Sequence, residues 1–411
     1  MLRVCAACLS LIFASTAAAQ GMTLEAAMTR VLDSHPELQR RQAEIAATAA
    51  KRDLMALPTP WVVGAEYEAP LGSGEERGLD QGEGTLRLSR VIERGDKRSL
   101  RQAAGQARLD RAFLETELAY LELAAETVRR FTEVAGAQEW AALASERVEL
   151  AQRLHERVEQ RVAAARSPVA EAHSSRAEWA RAQANLARRE GGLDAARARL
   201  AALWDGAGAD IAAVSADLFA LPPVPEPAAV RRALARNPDL QRLFAAQAVA
   251  SAEAELARGQ RATDITASAG AKYYGEFDSG GLMVELSVPL GSATRAAPAV
   301  RAAEERVVAA ELAQASQRRE ITGVALQLVA ELTARERELA LFGGTVIPEA
   351  RAAVRQYQQG FEAGRHSFLT VADAQRRLVE ARAEAIAAAV AFHRLMLELE
   401  QLTYSVEGGT R

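Results

Sequence analysis

Ile265-Thr266-Ala267-Ser268-Ala269-Gly270-Ala271-Lys272-Tyr273 sets apolar residues at alternate positions and small or polar ones between them. A period of two places the two sets on opposite faces of an extended strand. Across the turn Gly275 to Gly281, Leu282, Val284, Leu286, Val288 and Leu290 alternate with Met283, Glu285, Ser287 and Pro289. A matching pair lies earlier. There Trp61, Val63, Ala65 and Tyr67 alternate with Val62, Gly64, Glu66 and Glu68, and Leu86-Arg87-Leu88-Ser89 follows the loop Gly72 to Gly84. Any one such strand would also suit a half-buried hairpin of a soluble domain. Four together, in an exported chain with no competing core, fit a membrane barrel with lipid outside and water inside. Four strands cannot close, because the smallest membrane barrels need about eight. Two chains would supply about eight strands around a filled interior, and three about twelve around a passage, so the expected assembly is a homotrimer sharing one barrel.

The strands recur because the chain is one unit written twice. Leu32-Asp33-Ser34-His35-Pro36-Glu37-Leu38-Gln39 returns as Leu234-Ala235-Arg236-Asn237-Pro238-Asp239-Leu240-Gln241. The turn Glu93 to Arg98 corresponds to Gly291 to Arg295. Asp205-Gly206-Ala207-Gly208 and the run Pro222 to Pro227 read as a connector. The expected organisation is a signal peptide over 1–19, a first repeat over 20–204, a connector over 205–224, a second repeat over 225–404 and a tail over 405–411.

Helical periodicity fills most of each repeat. It runs from about Lys97 to Ala165 and from about Ala296 to Ala363, and roughly 68 residues at 1.5 Å reach about 100 Å. Return helices follow, Pro168 to Trp204 and Phe368 to Tyr404. Leu109, Phe113, Tyr120, Phe131 and Val134 form one apolar stripe, and Ile321, Val324, Leu328, Leu332, Leu339, Phe342 and Val346 its counterpart. Leu143, Leu150 and Leu154 lie on a different line from Val148, Ala151, Val158 and Val162. A helix with neighbours on both flanks, as in a closed ring, needs two such stripes. The expected fold is therefore mainly α with a small membrane β part: long helical hairpins forming an α-barrel, plus four strands per chain. Pro348, inside Gly343-Gly344-Thr345-Val346-Ile347-Pro348, should bend its helix. Gly364 suits a helix C-cap at positive φ, and Ser367 or Ser167 the following N-cap.

Met1-Leu2-Arg3-Val4, the apolar run Cys5 to Ala14 and Ala17-Ala18-Ala19 make a secretory signal peptide with cleavage near Gln20 or Gly21. Both cysteines, Cys5 and Cys8, lie in the removed segment, so no disulfide, thiolate metal site or acyl anchor is expected. Only 5% of residues are aromatic, while Ala, Glu, Arg, Gln and Leu dominate, as in closely packed long helices. No mature stretch has the roughly 18 consecutive apolar residues of a membrane-spanning helix. A net charge of -4 with interspersed signs gives no basic stripe for nucleic acid. The chain has no G-x-S-x-G elbow, no phosphate loop and no H-E-x-x-H pair, so no enzyme and no cofactor is expected. His155-Glu156 and His173-Ser174-Ser175 read as polar positions on helix surfaces, and the scattered His35, His155, His173, His366 and His393 lack zinc spacing.

Val346-Ile347-Pro348-Glu349-Ala350, Tyr357 to Leu369, and Ala372-Asp373-Ala374-Gln375-Arg376 resemble the helix-turn-helix segment of TolC-type outer-membrane efflux proteins. The resemblance implies a twelve-strand trimeric barrel in outer-membrane lipid and a helical tube through the periplasm. Its partners would be a periplasmic adaptor and an inner-membrane pump of the RND type. It makes Gly364, Arg365, His366 and Ser367 the adaptor-docking tip, with Ala165, Arg166 and Ser167 as the first-repeat equivalent. It makes Asp373 part of a carboxylate ring at the periplasmic gate, where mutual repulsion would raise the pKa values. Thr370 stands where such members carry a second acid. Ser89 to Arg98 resembles the junction of the cobalt, zinc and cadmium exporter branch. The rival reading is the periplasmic helical adaptor or another structural coiled-coil protein of an export machine, with one hairpin flanked by small β-domains.

Overall fold

The structure is a computed structural model that describes residues 21–68 and 82–404. The leader with its two cysteines, most of the loop Gly72 to Gly84 and the tail 405–411 lie outside the described residues. In chain order the elements begin with α1 (Leu24–Ser34), α2 (Pro36–Ala56), β1 (Trp61–Glu68) and β2 (Glu83–Ile92). The hairpin α3 (Lys97–Ala163) and α4 (Val169–Ala201) follows. The second half repeats the order with α5 (Pro227–Ala233), α6 (Pro238–Gly259), β3 (Ile265–Tyr274) and β4 (Ser279–Ser287). It ends with α7 (Ser292–Leu341), a π-helical turn Phe342–Val346, α8 (Ile347–Glu362) and α9 (Phe368–Thr403).

Contacts divide the chain into two compact units, and α3 and α7 each contribute to both. One unit gathers Arg40–Thr116 and Asp239–Arg318. It holds a four-stranded antiparallel sheet in the order β1-β2-β3-β4. The second strand of the later hairpin begins and ends earlier than its alternation suggests. Gly280 and Gly281 pair with Tyr273 and Lys272, and β4 stops at Ser287 because Pro289 offers no ladder donor.

The step from β2 into α3 is held by an ion cluster. Lys97 is only 4% exposed, and its Nζ donates to Asp264 Oδ1 at 2.8 Å. Asp264 also accepts the backbone N–H of Arg94 at 3.1 Å. Arg101 grips Glu93 with two hydrogen bonds, Nη2 to Oε2 at 2.9 Å among them, and donates from Nε to the Met55 carbonyl at 3.3 Å. The Arg101 hydrogen bond holds the Glu93 carboxyl below its ordinary range. Burial alone would raise Asp264, but Lys97 and the Arg94 N–H outweigh it and bring that carboxyl down as well. Gly95, at φ +72°, allows the turn, because a Cβ there would strike Ala262.

The other unit contains Met1–Gln39, Glu117–Pro238 and Arg319–Arg411. Phe131 and Leu332, members of the stripes read from the sequence, are fully buried in it, as is Phe392, which those stripes did not include. Phe113, of the sheet-bearing unit, and Val324 and Val346 belong to those stripes too, yet they stay 53%, 42% and 40% exposed in a single chain. The connector packs on the helices: Val214 exchanges hydrogen bonds with the Gln138 amide and bridges to Met22. Buried His393 binds the Leu218 carbonyl through Nε2 at 3.0 Å, and burial lowers its pKa. Where a bend is expected at Pro348, the structure has a π-helical turn just before it, in which the Ile347 N–H reaches back to the Phe342 carbonyl. Pro348 then falls in the first turn of α8, where a missing N–H costs little.

Two stability measurements test these interactions. Asp264→Asn strands a buried ammonium and should lower stability by about 2 kcal/mol in heat-unfolding experiments, whereas Asp264→Asn with Lys97→Met should recover most of the loss. Because the partner carboxyls are depressed, the cluster stabilises at neutral pH and its contribution is lost as pH falls below about 4. Glu400 behaves oppositely. Burial pushes its carboxyl up to about 7, and Oε2 is buried without a hydrogen-bond partner. Its penalty is absent at low pH and grows as pH rises towards that value. Glu400→Gln should therefore stabilise by on the order of 2 kcal/mol at pH 8 and change little at pH 4.

Candidate functional site: the strand wall and the hairpin tips

The sheet register sorts its residues into two unlike faces. Val63, Leu88, Ala269 and Val284 form one cross-strand row, and Ala65, Leu86, Ala271 and Leu282 the next. Leu282, Val284 and Leu286 are 93%, 79% and 68% exposed, which is a large apolar surface with no protein over it. Trp61 ends this face near the helices, and Tyr67 and Tyr273, in a row with Gly84, end it at the hairpins. Aromatic residues at both ends of an apolar band mark the two interfaces of a membrane barrel.

The opposite face is polar. Glu66, Thr85, Lys272 and Gly281 share a row, as do Val62, Ser89, Ser268 and Glu285. Lys272 pairs with Glu83, and Arg87 lies 3.6 Å from Glu285. Among the described residues, β1 is paired only with β2 and β4 only with β3, so each outer edge presents free backbone donors and acceptors.

Both hairpin tips end their first helix in the same way. Arg166 N–H returns to the Arg161 carbonyl at 2.7 Å and Ala165 N–H to Val162 at 2.9 Å; Arg365 returns to Gly360 at 2.8 Å and Gly364 to Phe361 at 3.0 Å. This is the Schellman arrangement, which needs a left-handed residue at its centre. Gly364 supplies it at φ +74°, and Ala165 adopts φ +56° at a steric cost. Ser367 caps α9 and also bonds Thr370, Oγ to Oγ1, at 3.1 Å. Ser167 does not cap α4, which begins one residue later with Pro168 as its N-cap. It accepts from Arg161 Nε at 3.1 Å instead.

Arg161 is the tip residue that the sequence reading missed. Its guanidinium lies 4.6 Å from the Phe361 ring centre, donates to the Phe361 carbonyl, and reaches the Arg166 carbonyl at 3.3 Å. It joins the two tips over a core of Leu154, Val158, Phe361, Phe368 and Val371. Nothing local signals this, because the partner lies 200 positions away. Arg166, Arg365 and His366 remain exposed, and the His366 ring stands edge-on to Tyr357 at 5.2 Å.

Asp373 accepts from Arg377 Nε at 2.8 Å and pairs with Arg376. In the single chain these arginines, Arg377 first, hold its carboxyl below the ordinary range rather than above it. Asp373 lines a groove of about 640 Å³ with Leu150 and Leu154 of α3, Glu178 and Arg181 of α4, and Phe368. The surface position read for His155 is corrected. Its side chain is buried, with Nδ1 2.9 Å from the equally buried Ser175 Oγ and the ring against Trp179. The second apolar stripe of α3 carries it against α4. No group of three metal-ligating side chains occurs among the described residues, and none of their helices is long and apolar enough to cross a membrane.

The sequence signature of the family described as outer membrane efflux protein matches residues 229–403. The cobalt-zinc-cadmium resistance protein CzcC of Cupriavidus metallidurans is 30% identical over 271 residues, which are 64% of this chain and 62% of that protein. The match therefore spans less than two thirds of that relative. Two solved structures share the fold over nearly the full length. The outer membrane protein VceC of Vibrio cholerae has a TM-score of 0.77 at 17% identity, covering 93% of this chain and 97% of its own. The Campylobacter jejuni CmeC outer membrane channel has a TM-score of 0.76 at 12% identity, covering 92% and 85%.

The tip geometry gives an expectation in each direction. Ala165→Gly removes left-handed strain and should stabilise by about 0.5–1 kcal/mol. Arg161→Ala should cost about 1–3 kcal/mol and speed amide exchange at both tips, read by hydrogen-exchange mass spectrometry.

Proposed function

We propose that this chain, whose residues 229–403 match the outer membrane efflux protein family, acts as an efflux channel of that family and that three copies form an outer-membrane duct. The four-stranded sheet carries the reading, with its bare apolar face, charged opposite face and two unpaired edges. An open edge cannot remain in hydrocarbon, so copies must join edge to edge. Three copies of a four-stranded sheet give about twelve strands, enough to leave a water-filled passage. The polar rows of Glu66, Lys272 and Glu285 then line the lumen. The long helices stand in the periplasm as an α-barrel.

Solute passes through without catalysis, so no resident cofactor is required. A periplasmic adaptor docks on the tips through Ala165, Arg166, Ser167, Gly364, Arg365, His366 and Ser367. Their exposed cations suit an acidic or carbonyl-rich partner surface. An inner-membrane pump of the RND type delivers the cargo. Heavy-metal cations are the proposed cargo class, supported by the similarity to CzcC.

At the periplasmic gate a ring of Asp373 would be accompanied by Arg376 and Arg377, and Arg376 also pairs with Glu380, so the two acids and two arginines of each chain balance. Thr370 serves the α9 cap and adds no charge. Purified protein in planar bilayers should conduct ions, and Asp373→Ala should shift selectivity towards anions by leaving Arg377 without its ion-pair partner while Arg376 keeps Glu380. Absence of conductance from heat-labile trimers would refute the duct, and unchanged selectivity would remove Asp373 from the gate. Export of cobalt, zinc and cadmium against organic compounds in a deletion strain decides the cargo: loss of metal tolerance alone supports metal cations, and loss of organic efflux alone overturns them.

A further inference from the structure

The strand ends nearest the helices carry a strong and one-sided charge. Arg90 stands in the lipid-facing row, between Trp61 and Ala267 with Leu286 beyond. Its guanidinium lies 5.0 Å from the Trp61 ring centre, and Nε donates to the Thr59 carbonyl at 3.2 Å. Arg94, Arg98, Arg261 and Arg295 flank the same strand ends, and all four are exposed. None of these five arginines has an ion pair among the described residues; Arg98 donates only to the Ala56 carbonyl.

The acids nearby are committed elsewhere. Glu93 is held by Arg101 and Asp264 by Lys97, so that cluster is neutral within itself. Among the described residues of the segments that flank these strand ends, Asp96 is the acid left outside those two pairs. At the hairpin ends of the same strands the balance among the described residues reverses, with Glu66, Glu68, Glu83, Glu276 and Asp278 against Lys272.

We propose that Arg90, Arg94, Arg98, Arg261 and Arg295 form a collar that binds anionic phospholipid headgroups at the helix-side margin of the membrane. The inference rests on the barrel reading, which places the apolar face in lipid and these residues at its rim. Guanidinium forks match phosphate oxygens in geometry and stay charged at every accessible pH. A row of them at the edge of an apolar band, with Trp61 as the interfacial ring, meets phosphates where the acyl chains end. Arg90 is fixed there by the Trp61 face and the Thr59 carbonyl and Arg98 by the Ala56 carbonyl, while Arg94, Arg261 and Arg295 have no ion pair among the described residues.

The test uses full-length trimers, delipidated in dodecyl maltoside and shown beforehand to conduct, so that failure of the barrel reading is recognised separately. Trimers are mixed with equimolar dioleoylphosphatidylglycerol and dioleoylphosphatidylcholine, and retained lipid is counted by native mass spectrometry. Roughly fivefold more of the anionic lipid should stay bound, one arginine's worth of attraction to an anionic surface. Arg90→Gln, Arg94→Gln, Arg98→Gln, Arg261→Gln and Arg295→Gln combined should bring the ratio near one, while the same five positions changed to Lys should keep most of the preference. Equal retention of the two lipids by the unmodified trimer would overturn the collar, as would an unchanged ratio in the glutamine variant. Displacement of the anionic lipid by millimolar inorganic phosphate would overturn it in favour of a free-phosphate site. If the glutamine variant does not assemble, loss of the preference in the unmodified trimer at 0.5 M salt, roughly a 4 Å screening length, serves instead, and its persistence counts against the collar.

Discussion

A backbone N–H or C=O facing hydrocarbon has no water to bond, and that constraint organises this protein. Four strands satisfy one another internally and leave β1 and β4 with bare outer edges. The same sheet turns Leu282 and Val284 outwards and Lys272 and Glu285 the other way. A sheet with one apolar face, one charged face and two open edges finds hydrogen bonds, lipid and water together only by closing with copies of itself. The proposed trimeric duct answers this requirement, with each repeat of the chain supplying one strand pair and one helical hairpin.

The sheet must also be aimed by the helices that follow it. The cluster of Lys97, Asp264, Glu93 and Arg101 does this where β2 turns into α3, drawing the foot of β3 from the second repeat against the first. The corresponding step from β4 into α7 has no such cluster among the described residues; Gly291 takes φ +83° and Leu290 stays 91% exposed. The two repeats, alike in plan, therefore divide the work. One junction is fastened within the chain, and the other leaves apolar surface for a neighbour. The tips show the same division, since Arg161 of the first repeat holds the second while the residue in step with it, Gly360, makes room for the His366 ring.

Much of this was legible because it is local. Period-two alternation around Ala267 to Tyr273 and around Trp61 to Tyr67 located the strands, and the observed register keeps those residues on a common face. The strand limits moved where a single residue overrode the pattern, as at Pro289. The lines of Leu143, Leu150 and Leu154 and of Val148, Val158 and Val162 foretold a helix with two packed flanks. They did not reveal that His155 travels with the second line into contact with Ser175, because a polar residue on an apolar stripe has the same spacing as a surface one.

The amino-acid sequence by itself determined the repeat, the two strand pairs, the long helices and the residues at the turns, since each depends on spacing along the chain. Only the tertiary structure decided which charges are spent on holding the chain together and which remain available. Lys97 and Arg90 are both cations within the same short stretch, yet one is buried against Asp264 and the other is stacked on Trp61 at the rim of the apolar face. Asp373 looks like a free acid in the sequence and is paired twice in the fold. An ion's partner is set by distance in space, which sequence separation does not encode, and that partner determines whether a charge fastens the fold or faces the membrane and its solutes.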